Sequence, residues 1–194
     1  MRIIIGITGG TGCGKTTVLQ LLQEEGFHVI DCDAVYHELL RQDKEMLLAI
    51  DAAFPGSFEN GHLDRKRLGQ AVFSNEAALD KLNHTVWPFV CRAVQARLDT
   101  AAPENCAIDA IGLFESGLDR LCTHTIAVTA PTQARIRRLM ARDDISEAYA
   151  ALRVGAQKSN EEFAALCTLV LDNSYETSAE FRQYAQHALK ETIL

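Results

Sequence analysis

Residues Ile3 to Thr17 read IIIGITGGTGCGKTT, an apolar run followed by a glycine-rich turn and then Gly14, Lys15 and Thr16 at the head of a helical pattern. No other stretch restricts the fold so strongly. Gly9, four residues, Gly14, Lys15 and Thr16 make the GxxxxGK[ST] pattern of a phosphate-binding loop, and each position has a physical task. The glycines let the backbone take conformations closed to other residues and gather several N–H donors around one phosphate. Lys15 reaches the terminal phosphates and the Thr16 hydroxyl sits on Mg²⁺. The helix that follows turns its positive end toward the same anion. A strand before the loop and a helix after it are the context this motif needs, so the chain is expected to grip a nucleoside triphosphate.

Further apolar runs at Phe27 to Ile30, Cys106 to Ile111, Thr125 to Thr129 and Leu169 to Leu171 alternate with helical patterns. That alternation predicts a mostly parallel sheet with helices on both faces. The runs lack polar alternation, as strands buried on both faces do. Val18 to Glu25 reads as the first helix, ended at Gly26. Ala34 to Asp99 is mainly helical and broken by the turn-forming PGSFENGH at Pro55 to His62, too long for a simple crossover. Leu63 to Arg97 therefore reads as a helical insertion that covers a substrate. Thr132 to Gln157, rich in arginine and broken near Asp143 to Ser146, suits a mobile lid.

Composition narrows the partners. With 194 residues, 47% of them hydrophobic, the chain can bury one full core with a small appended subdomain. A formal net charge of -7 gives no general attraction to nucleic acid or to anionic membranes, so a polyanionic ligand must be held by local basic residues. Six cysteines lie scattered without metal-ligand spacing, several in apolar runs, which fits reduced thiols and a cytoplasmic protein. No apolar run approaches the length of a membrane span.

Asp31, Cys32 and Asp33 close the second apolar run, where strand ends surround the ligand crevice of a parallel sheet. In extended backbone the two carboxylates point the same way, toward Mg²⁺ or an attacking hydroxyl. Asp33 is either a hydroxyl-orienting base or the cap of a helix starting at Ala34. Asp109, after the run Cys106 to Ile108, is either a magnesium-side carboxylate or a structural one. Arg135, Arg138 and Arg142 share one helical face, which is a clamp for phosphoryl charge or a solvated basic surface. After the glycine turn, Asp64 is placed to cap a helix, while Arg65 is a phosphate ligand or surface decoration. His84 and Trp87 read as packing residues.

Taken together these segments resemble the dephospho-coenzyme A kinase family. The resemblance runs through TGGTGCGKTT at Thr8 to Thr17, DCD at Asp31 to Asp33, NGHLDRKRLGQAVF at Asn60 to Phe73 and LFESGL at Leu113 to Leu118. It continues through Gln133 with RLMARD at Arg138 to Asp143, RVGAQ at Arg153 to Gln157 and LDN at Leu171 to Asn173. It implies an α/β, three-layer P-loop nucleoside-kinase-like fold with a five-stranded parallel sheet. It also implies one P-loop kinase domain, with its core at about 1–54, 100–131 and 167–194, a helical substrate-binding insertion at about 55–99 and a lid at about 132–166. The implied reaction moves the ATP γ-phosphoryl group to the ribose 3′-hydroxyl of dephospho-coenzyme A, with Mg²⁺, as the last step of coenzyme A synthesis. Thr11, Gly12, Cys13, Gly14, Lys15, Thr16 and Thr17 would hold ATP, and Thr16 and Asp109 the metal. Asp33 would activate the hydroxyl, Leu63 and Arg65 would bind substrate, and Lys15, Arg138 and Arg142 would serve catalysis. A monomer or small homo-oligomer is expected.

Three places depart from the family's usual pattern: Trp87-Pro88 for His-Pro, Ile111-Gly112-Leu113 for Pro-Leu-Leu, and Cys167-Thr168 for Ala-Asp. Without the resemblance, a kinase of the nucleoside monophosphate group and a nucleotide-binding regulator without catalysis stay open.

Overall fold

The computed structural model describes residues 2–73, 75–102 and 104–194. Its contacts divide the chain into two compact units, Met1–Ile30 with Ala101–Leu194, and Asp31–Thr100.

The first unit is built on a five-stranded parallel sheet, as expected from the apolar runs. Its strands are β1 (Ile4–Thr8), β2 (His28–Asp31), β5 (Cys106–Asp109), β6 (His124–Thr129) and β7 (Leu169–Asp172), in the order β2-β5-β1-β6-β7. β1 lies parallel to both of its neighbours, pairing Ile7 with Asp109 on one side and Ile7 with Ile126 on the other. The chain leaves β1 first toward β2 and β5 and later toward β6 and β7. The order therefore reverses at β1, and the crevice beyond its carboxyl end is where such sheets bind ligands. The phosphate loop begins there.

One face of the sheet is closed by α1 (Lys15–Glu24) and α9 (Ser178–Thr192). Val18, Leu21 and Leu22 recur at helical spacing, as do Phe181, Ala185 and Leu189, and these stripes pack on Ile5, Ile7, Ala107, Ile126 and Val128. α9 is started by a reciprocal cap in which Thr177 and Glu180 satisfy each other's backbone N–H. On the opposite face Gly6 leaves room for Leu113 and Cys122, whose Cδ2 and Sγ would both lie 2.8 Å from a Cβ at that position. Burial pushes the Cys122 thiol up to about 12 and Cys167 to about 11, so both behave as small hydrophobes at neutral pH. Thr168, where the family usually has Asp, ties the start of β7 to β6 by donating to the Thr125 carbonyl at 2.8 Å and accepting from the Thr125 N–H at 3.0 Å.

The predicted lid stretch resolves into α6 (Thr132–Asp143), α7 (Glu147–Gly155) and α8 (Asn160–Leu166). It breaks where the sequence indicated, at Asp144, whose φ of 52° ends α6 in the left-handed region, and Ser146 caps α7. Asp143 spans the break, accepting from Arg142 Nε at 2.7 Å and from Arg153 Nη1 at 2.6 Å.

The second unit holds α2 (Cys32–Gln42), α3 (Lys44–Ala53), α4 (Arg65–Phe73) and α5 (Glu76–Ala101), with β3 (Phe58–Glu59) and β4 (His62–Leu63). Its core gathers Leu40, Met46, Ile50, Leu68, Val72, Leu82 and Val86. The Pro55 to His62 segment, read from sequence only as a turn, is a short 3-10 turn followed by a hairpin. Asn60 and Gly61 carry φ of 50° and 78°, both positive, the requirement of a two-residue hairpin turn that matches strand twist. β3 and β4 are too short to show alternation, so the sequence pattern could not reveal them. Pro88 lies inside α5, whose buried stripe Leu82, Val86, Val90, Val94 and Leu98 continues past it at four-residue spacing.

The bracket at Asp143 yields a pH prediction. Hydrogen bonds from Arg142 and then Arg153 hold its carboxyl down at about 2. Such a group contributes stability that is full above the ordinary carboxylate range near 4 and is lost as pH falls toward about 2. Asp143→Asn should therefore lower the Tm at pH 7, with the gap to the native protein closing as pH is taken from 5 to 2.5. A gap that stays constant over that range contradicts the assignment.

Candidate functional site

In the loop between β1 and α1, Gly9, Gly12 and Gly14 all take positive φ, and the first and last also leave no room for a Cβ. Gly9 has φ 135°, and a Cβ there would stand 2.2 Å from the Val128 carbonyl oxygen. Gly14, the residue before α1, has φ 108°, and its Cβ would stand 2.4 Å from Asn173 Nδ2. Between them the turn closes on itself, with Cys13 N–H donating to the Gly10 carbonyl at 3.2 Å and Thr17 N–H to the Gly14 carbonyl at 3.1 Å. Lys15 opens α1 and its Nζ lies back over the turn, 2.8 Å from the Gly9 oxygen. Thr16 follows in the first turn of α1 with an exposed side chain. The arrangement has the elements of an anion cradle: a tight turn, a helix N-terminus and a lysine across it.

Three successive carbonyls of this turn are held by side chains from far along the chain. The Thr11 oxygen accepts from Arg135 Nε at 3.0 Å, the Gly12 oxygen from Arg138 Nη1 at 3.2 Å, and the Cys13 oxygen from Asn173 Nδ2 at 2.8 Å. Gln157 completes the set, accepting from the Thr11 N–H at 2.8 Å and donating to Thr11 Oγ1 at 2.8 Å. Asn173 also accepts from Arg138 Nη2 at 3.2 Å, which joins two of the clamps.

This corrects the reading of the arginines as one face. Arg135 is buried against the loop, and Arg138 is half-buried on the loop and on Asn173. Arg142 is exposed and engaged with Asp143, whose hydrogen bond raises its pKa further. Shared helical spacing did bring Arg135 and Arg138 to one object, but that object is the loop backbone.

The second strand also ends differently from the expectation. The chain leaves extended backbone at Asp31, not beyond Asp33, and α2 begins at Cys32. Asp31 is the cap, its Oδ1 accepting from the N–H groups of Asp33 at 2.8 Å and Ala34 at 3.0 Å. Asp33 is thereby relieved of capping and lies exposed in the first turn of α2. Tyr36, three residues on, shares its side of the helix. Burial raises the Tyr36 pKa and the nearby Arg65 charge opposes that rise, so Arg65 lies within electrostatic reach of the phenol. Asp64 caps α4 through the N–H groups of Lys66 at 2.9 Å and Arg67 at 3.1 Å, as expected. Leu63 belongs to β4 and packs on the core of the second unit. Trp87 lies half-buried with its ring 5.0 Å from that of His84.

Asp109 ends β5 in register with Ile7, with Oδ1 buried. It lies close enough to Cys13 to raise that thiol's pKa, although burial is the larger cause and the Lys15 charge opposes both. Thr16 hydroxyl and Asp109 carboxylate are hard oxygen donors, the type that Mg²⁺ takes when substrate phosphates and water complete its shell. Among the described residues no group of three or more His, Cys, Asp or Glu is placed to hold a metal ion.

Sequence reasoning did not single out Gln157, Asn173 or Tyr36. Gln157 and Asn173 stand at the ends of the RVGAQ and LDN segments, so they were in view, but nothing local shows that a side-chain amide reaches a loop some 150 residues away in sequence. Tyr36 had a legible signal in its i+3 spacing from Asp33.

Comparison with known proteins agrees with this architecture. The dephospho-CoA kinase family model matches residues 3–179. Dephospho-CoA kinase of Bacillus licheniformis is 35% identical over 191 residues, covering 94% of this chain and 95% of its own length. Among solved structures, TT1252 from Thermus thermophilus superposes with a TM-score of 0.82 at 35% identity, over 100% of this chain and 98% of the other. Dephospho-CoA kinase from Campylobacter jejuni gives 0.68 at 25% identity, over 98% and 97%. The resemblance noted in the motifs is thus carried by the whole fold, and the chain belongs to the dephospho-CoA kinase family.

Proposed function

We propose that this protein transfers the γ-phosphoryl group of ATP to the ribose 3′-hydroxyl of dephospho-coenzyme A, giving coenzyme A and ADP as the last step of coenzyme A synthesis. The observation that carries this reading is the extent of the family match, from residue 3 to residue 179, which takes in acceptor-side segments as well as the loop. The segment 55–99 is assigned to binding the acceptor and 132–166 to closing over ATP. No helix among the described residues is long and apolar enough to cross a membrane, which accords with a cytoplasmic enzyme.

The reaction forms a bond from the 3′-oxygen to the γ-phosphorus and breaks the bond from that phosphorus to the β,γ-bridging oxygen. Asp33 takes the hydroxyl proton, a role supported by Asp31 having taken over the cap. The loop residues from Thr11 to Thr17 hold the phosphates of ATP, and Lys15 exchanges the Gly9 carbonyl for the terminal phosphates. Thr16 and Asp109 are the residues that would hold Mg²⁺, which when bound neutralises charge on the β and γ oxygens. Leu63 and Arg65 serve the acceptor, Arg65 toward its phosphate. Arg138 and Arg142 serve the lid side, Arg138 by fixing Gly12 and Arg142 by its bracket with Asp143 and Arg153. Since phosphoryl transfer needs little covalent help, positioning and charge neutralisation carry most of the rate.

Purified protein with Mg·ATP should convert dephospho-coenzyme A to coenzyme A and leave nucleoside monophosphates nearly untouched, as followed by ADP release and product mass. Faster turnover of a nucleoside monophosphate overturns the acceptor assignment. Asp33→Asn should lower kcat by about 100-fold or more while ATP binding, measured by calorimetry, stays within about two-fold. Native-like kcat in that variant removes Asp33 from the chemistry.

A further inference from the structure

Arg135 is a buried cation whose charge the proposed reaction does not yet use. It sits in the first turns of α6 and is only 3% exposed. Its Nε donates to the Thr11 carbonyl at 3.0 Å and its Nη2 to Gln157 Oε1 at 2.7 Å. Its guanidinium lies so close to the loop that a Cβ on Gly10 would stand 2.0 Å from Nη2. Both hydrogen-bond partners are neutral, and among the described residues no carboxylate forms an ion pair with it. These two hydrogen bonds do not cancel the charge, and burying an uncompensated charge is costly. The cost shows as a lowered pKa, yet a guanidinium stays protonated throughout the physiological range.

An uncompensated positive charge directly against the phosphate loop has one chemical complement in the proposed reaction, the polyphosphate of ATP. We propose that Arg135 is a positioning residue of the ATP site, whose guanidinium fixes Thr11 and supplies a buried positive charge that the nucleotide's phosphates complete. The inference rests on the kinase reading for the identity of the anion. Its charge acts through the protein interior, where screening by salt and water is weak. Affinity gained in this way grows with the number of phosphates and does not depend on the base or the sugar.

The test is calorimetric titration of the full-length native protein, Arg135→Gln and Arg135→Lys with ATP, ADP and adenosine. Arg135→Gln keeps an amide donor near the Thr11 carbonyl but carries no charge. It should bind ATP about ten-fold more weakly, which corresponds to roughly 1.4 kcal/mol, and ADP less affected, with adenosine unchanged. The KM for ATP should rise while the KM for dephospho-coenzyme A holds. Arg135→Lys keeps the charge and a donor for the Thr11 carbonyl but loses the second arm to Gln157, so it should recover most of the ATP affinity even if its Tm falls. The proposal is overturned if Arg135→Gln binds ATP like the native protein, if it loses ATP and adenosine equally, or if Arg135→Lys is ten-fold weakened. Should Arg135→Gln fail to fold, the lysine variant decides alone by the same criterion. Loss of ATP selectivity in a protein that does not phosphorylate dephospho-coenzyme A supports the role of Arg135 and overturns the acceptor reading. Full kinase activity with unaltered ATP binding in Arg135→Gln does the reverse.

Discussion

The carbonyls of Thr11, Gly12 and Cys13 are held in turn by Arg135, Arg138 and Asn173, and the rest of the nucleotide end of this protein depends on that clamp. A peptide plane is rigid, so fixing where its carbonyl points also fixes where the adjoining N–H points. A glycine-rich turn left to itself samples many such orientations at low cost. Here each orientation is settled by a donor from α6 or from the end of β7, two of them charged. Charge-assisted hydrogen bonds of this type contribute about 1.5–3 kcal/mol each, enough to hold one loop conformation against its alternatives. The long return of the chain through the lid helices is thus part of how an early loop becomes a preorganised anion site.

The same clamp explains which parts of the molecule were legible in the sequence. The loop, the first helix and the runs that form the sheet depend on local pattern, and they lie where the residues indicate. The break at Asp144 was legible for the same reason, because polar residues interrupt a helical stripe. Asp31 and Asp33 were a harder case. Both residue types suit either a cap or a base, and only the residue at which α2 begins decides between them. The hairpin at Phe58 to Leu63 was hidden by strands of two residues each, although its Asn60-Gly61 turn was in plain view.

Arg135 marks the limit of helical spacing as a guide. Its helical spacing from Arg138 was legible in the sequence, yet spacing cannot tell whether such a face meets solvent, a ligand or another part of the chain. The answer lay in contacts more than a hundred residues apart in sequence, with Thr11 and Gly12. Similar long-range contacts account for Thr168, which replaces a usual family acid and serves as a hydrogen-bonded splice between β6 and β7. That departure from the family's pattern is thus absorbed by pairing with the neighbouring strand.

The most direct measurement is a structure of the protein with a non-hydrolysable ATP analogue and dephospho-coenzyme A. A preorganised loop predicts that the bonds from Arg135, Arg138 and Asn173 to the three carbonyls persist on binding, while Lys15 Nζ leaves the Gly9 oxygen for the phosphates. Peptide flips at Thr11 to Cys13 with release of those side chains would contradict the account.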